Sequence, residues 1–350
     1  MASALQNGRN CTLFSIRKYG KTGTISHLFH QNSDKKSVYV DLLSTQNIAQ
    51  MANAIGKAML PQIETQPQKL LRWVGSIFSG IKPAITFDSV TGQPSVEMGI
   101  TTESLAFKTL EEIFNWLRQW DGELWLALDE FQQISQYPEK GTEAHLRSLI
   151  QFCPNVHVIF SGSQRNLLLR MFTDYGRPFY QSTDLLELKT LEKSEYLAFI
   201  WRHFEAGKRQ FEHEIIADWM DRLRIHTYYV QLAMNKLYAA KPKKWKPIDF
   251  ERFFLQILEE QEVQYVTIRG LLTDLQWRVL EAMALEGNVE KTAGKDWLMK
   301  YKLGSASSIQ AVITAMDDRE MIVREENGYR LMDPMMEHWF KRRYSAGKIF

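Results

Sequence analysis

Over the first half of the chain, short runs of consecutive apolar residues alternate with stretches whose apolar positions recur at helical spacing. The runs are CTLFS (11–15), SVYVDLL (37–43), LWLALDEF (124–131), VHVIFSGS (156–163) and LLELKTL (185–191), and each predicts a strand. Between them, residues 21–30, 47–60, 70–78, 110–120 and 143–152 predict helices; Ile48, Met51, Ile55 and Met59 share one face of the second. Strands that are apolar on both faces and alternate with helices predict an α/β fold with a mostly parallel, doubly covered sheet. Residues 84–100 break this rhythm. There AITFD and SVEMGI flank SVTGQP, which predicts an inserted hairpin.

After Leu191 the strand signal disappears until near the end. Residues 195–205, 212–223, 228–239 and 249–262 predict helices, with the basic, Pro-bounded KPKKWKP (241–247) as a connector. Helices over 273–285, 295–301 and 305–317 then precede a strand–turn–strand, 321–333, with Asn327-Gly328 as the turn. Three helices followed by a hairpin form the pattern of a winged helix-turn-helix. The expected division is therefore 1–191 for the sheet domain, 192–265 for a helical lid and 266–350 for the winged helix.

Composition adds bounds. A chain of 350 residues implies two or three domains. Its net charge of +2 announces neither a nucleic-acid nor a membrane partner. Two cysteines, Cys11 and Cys153, supply neither a disulfide framework nor a zinc site. No apolar run approaches the ~20 residues of a membrane span, and the first ten residues lack the core of a signal peptide. The expectation is a soluble, cytoplasmic protein with no membrane partner.

The chemistry concentrates at strand ends. SIRKYGKT (Ser15, Ile16, Arg17, Lys18, Tyr19, Gly20, Lys21, Thr22) and the following Gly23 fit the Walker A phosphate-loop pattern, with Ser15 at the place of the first glycine. Such a loop turns backbone N–H groups toward phosphates, and the next helix presents its positive N-terminus to the same anion. Lys21 is the expected partner of the β- and γ-phosphates of ATP or ADP, and Thr22 of Mg2+. The second strand end, Asp129-Glu130, supplies the complementary acids: Asp129 for the metal and Glu130 as general base toward water. Ser163, after the next strand, reads either as a contact to the γ-phosphate or as a helix cap. Arg177, placed before Pro178, is the candidate for stabilising transition-state charge, against a surface ion pair.

Taken together, SIRKYGKT, LALDEFQQI, FSGSQ, RPFYQS, HTYYVQ and the C-terminal LTDLQWRVLEAMALEG and YKLGSASSIQAVITAM resemble the prokaryotic STAND-type ATPases of the AAA+ superfamily, in particular the archaeal-type ATPase family found also in Bacteroidetes. The resemblance implies a P-loop NTPase core, a helical lid and a winged helix, with nucleotide at the core–lid junction and His226 as a lid contact. Thr227 stands where that lid motif usually has proline, and Ile16 where the loop usually has proline. The F-V-G-R-x-x-E segment that contacts adenine in the family does not appear before the first strand, which leaves base selectivity open.

The function implied is an ATP-hydrolysing switch in which nucleotide state sets the angle between core, lid and winged helix. The alternative is a non-hydrolysing DNA-binding or scaffold protein that keeps nucleotide as a structural ligand. For DNA, helix 305–317 would present Ser307, Ser308 and Gln310. Residues 271–350, however, hold twelve Lys and Arg against twelve Asp and Glu, and KRRY (341–344) is the one dense basic patch. Self-association or a protein partner is the remaining expectation.

Overall fold

A computed structural model describes residues 1–63, 75, 83–87, 94–120, 122–209, 211–240 and 246–345. They divide into two units, Met1–Leu188 and Lys189–Phe350.

The first unit runs α1 (Ala2–Gln6), β1 (Cys11–Phe14), α2 (Lys21–Gln31), β2 (Lys36–Asp41), α3 (Ile48–Ile63), β3 (Pro83–Phe87), β4 (Pro94–Met98), α4 (Glu103–Gln119), β5 (Leu124–Asp129), α5 (Thr142–Gln151), β6 (Val156–Ser161), α6 (Arg165–Thr173) and β7 (Asp184–Glu187). Five strands form a parallel sheet in the order β2-β5-β6-β1-β7. β5 and β6 are buried at every position. The two-residue alternation of a strand explains how one apolar run serves both faces. Leu126 and Leu128 join Val38, Val40 and Phe160 in one core, whereas Trp125 and Ala127 join Leu13, Ile25 and Ile159 in another. β3 and β4 pair antiparallel in a separate two-stranded sheet. Asn53 of α3 holds the end of β4, accepting from the Met98 N–H at 2.8 Å and donating to its carbonyl at 3.2 Å. The turn expected at 89–94 falls largely outside the described residues, as does the helix expected over 70–78 apart from Gly75.

α4 starts well before the expected 110, because Thr102 caps it, accepting from the Leu105 N–H at 3.3 Å. A 3-10 turn, Phe131–Gln136, follows the acidic end of β5.

The second unit contains α7 (Lys193–Ala206), α8 (His213–Arg222), α9 (Thr227–Ala239), α10 (Pro247–Glu260), α11 (Glu262–Gly270), α12 (Asp274–Glu286), α13 (Lys295–Lys300), α14 (Ala306–Asp318), β8 (Ile322–Glu325), β9 (Gly328–Leu331) and α15 (Pro334–Ser345). One buried cluster runs from Tyr196 to Phe340. The division expected at 265/266 falls inside α11, where Tyr265 is fully buried and its ring lies 5.4 Å from that of Trp339 on α15. Asp333 caps α15, accepting from the Met336 N–H at 3.0 Å and from the hydroxyl of Tyr229 on α9.

The tight turn of the last hairpin sits one residue earlier than expected. Glu325 pairs with Gly328, so Glu326 and Asn327 make the loop and Gly328 begins β9. A bridge between Val289 and Tyr329 fixes that register from outside the hairpin. Among the described residues, no helix is long and apolar enough to cross a membrane.

Candidate functional site

Parallel register brings three strand ends side by side. Leu13 of β1 pairs with Ser161 of β6, and Phe160 pairs with Leu128 of β5. The loop Ser15–Gly20, the acids Asp129 and Glu130, and Ser161–Ser163 therefore meet at the carboxyl edge of the sheet, where ligands of open α/β sheets bind.

The loop leaves β1 through Ser15, which is buried. Its hydroxyl donates to the Ile16 carbonyl at 2.9 Å and accepts from Lys21 Nζ at 3.2 Å. The residue standing at the first glycine of the pattern thus contacts the loop lysine. Arg17 and Lys18 are exposed at the crown, with Ile16 and Tyr19 half-buried. Gly20 has φ +96°, a conformation that a side chain disfavours, and from there the chain enters α2. Lys21 is buried on the first turn while Thr22 and Gly23 are exposed.

Asp129 is 5% exposed and is the most heavily bonded carboxylate of the site. Oδ2 accepts from Thr22 Oγ1 at 2.9 Å and from the Tyr39 hydroxyl; Oδ1 accepts from Ser161 Oγ at 2.6 Å and from the Glu130 N–H at 3.0 Å. Burial by itself would raise this carboxyl, but the bonds from Ser161, Tyr39, Thr22 and the backbone outweigh it and hold Asp129 below its ordinary value. The same burial, with the neighbouring Asp129 charge, pushes the Tyr39 phenol up, so it stays a donor. An ionised carboxylate and a hydroxyl meeting beside a helix N-terminus fit a hard, oxygen-seeking cation such as Mg2+. Among the described residues, no three His, Cys, Asp or Glu side chains gather as a metal cage elsewhere.

Glu130 takes a left-handed backbone, φ +54°, which turns the chain out of the strand into the 3-10 turn. Such a conformation costs a non-glycine residue about 1–2 kcal/mol, and active sites are where it is commonly retained. Its Oε2 accepts from the Ser163 N–H at 3.1 Å, Ser163 Oγ at 2.8 Å and Gln132 Nε2 at 2.6 Å. The Ser163 hydroxyl therefore faces the acid; the residue preceding α6 is Gln164, and no side-chain bond caps that helix.

Two expected residues have contacts outside this cluster. Arg177 pairs with Glu143 of α5 at 2.8 Å. Burial raises the Glu143 carboxyl and the guanidinium opposes that rise. His226 belongs to the second unit, where it is buried at the start of α9 with its ring 4.9 Å from that of Tyr229.

Tyr39 and Gln132 were not legible as site residues. The signal for Tyr39 is its period-two relation to Asp41 on a strand that pairs with β5. For Gln132 it is a fully buried polar residue directly after the acid pair.

Known structures with the same arrangement decide the architecture. The Walker-type ATPase PABY2304 of Pyrococcus abyssi superposes with a TM-score of 0.66 at 18% identity, over 97% of this chain and 93% of that one. The Aeropyrum pernix ORC2 protein, solved as ADPNP-ADP complexes, gives 0.58 at 14% identity, over 99% and 91%. The chain shares the α/β P-loop fold of these two proteins. A family model described as a probable winged helix domain matches residues 263–342, so the fold ends in a winged helix. No curated protein matches the sequence.

The winged helix presents Ser307, Ser308 and Gln310 of α14 as exposed residues. Its basic patch is tied into ion pairs: Lys341 with Glu337 at 2.6 Å, Arg342 with Glu259 at 2.5 Å and Arg343 with Glu262 at 2.7 Å.

Proposed function

We propose that this chain binds Mg-ATP at the Ser15–Thr22 loop and hydrolyses it, acting as a STAND-type switch whose nucleotide state is read through its second unit. The observation that carries the reading is the hydrogen bond from Thr22 to Asp129, with Glu130 held beside it on Ser163. These elements are distant in sequence, and their meeting reproduces the division of labour of P-loop NTPases.

In this reading the loop amides and Lys21 hold the β- and γ-phosphates. Thr22 and Asp129 would hold magnesium, which would supply charge neutralisation to those phosphates. Glu130 accepts a proton from the attacking water while its oxygen bonds to the γ-phosphorus and the bond to ADP breaks. Arg177 stabilises transition-state charge only after leaving Glu143, and His226 serves as the lid contact to nucleotide. The division into core (1–191), lid (192–265) and winged helix (266–350) belongs to the same reading, as does a cytoplasmic setting.

The test is steady-state phosphate release from Mg-ATP by wild type, Lys21→Ala and Glu130→Gln. Binding without release in Glu130→Gln, and no binding in Lys21→Ala, supports it. Micromolar ATP affinity in Lys21→Ala, or wild-type release in Glu130→Gln, overturns it.

A second reading, a non-hydrolysing DNA-binding or scaffold protein, is favoured by the exposed Ser307, Ser308 and Gln310 and opposed by the ion-paired basic patch. Salt-dependent duplex binding without turnover would select it.

A further inference from the structure

Gln132 has no part in the phosphate-loop chemistry described above, yet it is built into the site. It is 1% exposed on the 3-10 turn after β5. Its Nε2 donates to Glu130 Oε2 at 2.6 Å. A carboxylate cannot donate, so the amide nitrogen must face Glu130 and the amide oxygen must face away. That oxygen, Gln132 Oε1, is buried without a hydrogen-bond partner. Burying an unpaired carbonyl costs about 1–3 kcal/mol, which an apolar side chain of the same size would avoid.

Space for the amide comes from Gly162. A Cβ on Gly162 would lie 1.9 Å from Gln132 Oε1 and 3.0 Å from its amide carbon. A glycine between Ser161, which bonds Asp129, and Ser163, which bonds Glu130, is thus the position that lets Gln132 reach the acid. Ser163 and Gln132 together place three donors on one oxygen of Glu130, whereas its other oxygen, Oε1, accepts no hydrogen bond from the described residues.

We propose that Gln132 is a positioning residue for hydrolysis: with Ser163 it anchors Glu130 through Oε2, so that Oε1 is the oxygen presented to water, and Gly162 keeps the room this requires. The inference rests on Glu130 as the base of the proposed ATPase. In this role Gln132 acts through Glu130. Its loss leaves only the two Ser163 bonds on Oε2, so the carboxylate is held less firmly, and a misplacement of about 1 Å at a reacting group lowers turnover by up to about a hundredfold.

The experiment compares wild type, Glu130→Gln, Gln132→Met, Gln132→Ala, Gly162→Ala and the double variant Gln132→Ala/Gly162→Ala, measuring ATP affinity, KM and kcat. Gln132→Met keeps the volume and removes the donor. The expected result is a kcat about tenfold to a hundredfold lower, with KM and ATP affinity unchanged. Gly162→Ala is expected to reproduce it, and adding Gly162→Ala to Gln132→Ala to cause no further loss, because the clashing amide is gone. Gln132→Asn, which keeps the amide but shortens its reach, is the second variant should Gln132→Met not fold, and it too should lose kcat alone. Wild-type kcat in Gln132→Met, or equal losses of affinity and kcat, overturns the proposal while leaving the ATPase reading intact if Glu130→Gln is inactive. A wild type without phosphate release, or an active Glu130→Gln, overturns both.

Discussion

Thr22 Oγ1 donates to Asp129 Oδ2 at 2.9 Å across 107 positions of sequence. The bond joins the first turn of α2 to the end of β5, and both its oxygens suit the same cation. Thr22→Ala is expected to weaken Mg-ATP binding about tenfold while changing binding in excess chelator little. Calorimetric titration under both conditions checks this; an equal loss with and without magnesium would assign Thr22 a purely structural role.

Tyr39→Phe removes one donor from Asp129. The folded value of Asp129 lies below 3.8, so its ionised form stabilises the fold fully above that pH, and the contribution is lost as pH falls through the lower folded value. The variant should therefore be about 1 kcal/mol less stable at neutral pH, with the gap closing below pH 3.8. Urea unfolding at neutral and acid pH measures both limbs. A gap that persists unchanged in acid would mean that the phenol acts through packing.

Phe131, Phe160, Phe172 and Phe179 form one aromatic cluster beneath the acid pair, with ring centroids 4.5 Å apart for Phe131 and Phe160 and 5.1 Å for Phe160 and Phe172. Phe172→Ala leaves a cavity there and is expected to destabilise the first unit by about 3–5 kcal/mol. Denaturant titration reads the cost, and a loss under about 1 kcal/mol would show that the site collapses around the missing ring.

Asp333 behaves oppositely to Asp129. Burial raises its carboxyl, and the bonds from Tyr229 and the backbone only partly offset this. A raised acid disfavours its charged form, so its contribution is greatest below 3.8 and declines as pH rises through the folded value. Asp333→Asn keeps an acceptor oxygen for the cap, places an amide N–H2 as donor toward the Tyr229 oxygen, and removes the charge. It should be at least as stable as wild type at neutral pH, whereas Asp333→Ala should lose about 1 kcal/mol or more from the missing cap. Thermal melts of the pair, with Asn less stable than Ala, would refute this account.

The sheet was legible because β5 and β6 are buried on both faces and so read as unbroken apolar runs. The phosphate loop and acid pair were legible because their chemistry is local in sequence. Tyr39 and Gln132 were not, since each reaches the site through register or a turn that no local pattern encodes. α15 escaped notice because Pro334 and the mixed run MMEHWFKRR hide its helical spacing, although Asp333 before the proline is a helix-start signal. The helix expected over 249–262 matches α10, whereas α11, which follows after Gln261 alone, carries no separate start signal and was not expected.

The shared core of the second unit has a consequence for unfolding. The tilted rings of Tyr265 and Trp339 and the bond from Tyr229 to Asp333 join α9, α11 and α15 through one core. One shared core has no internal boundary at which to part, so Lys189–Phe350 is expected to melt in a single step.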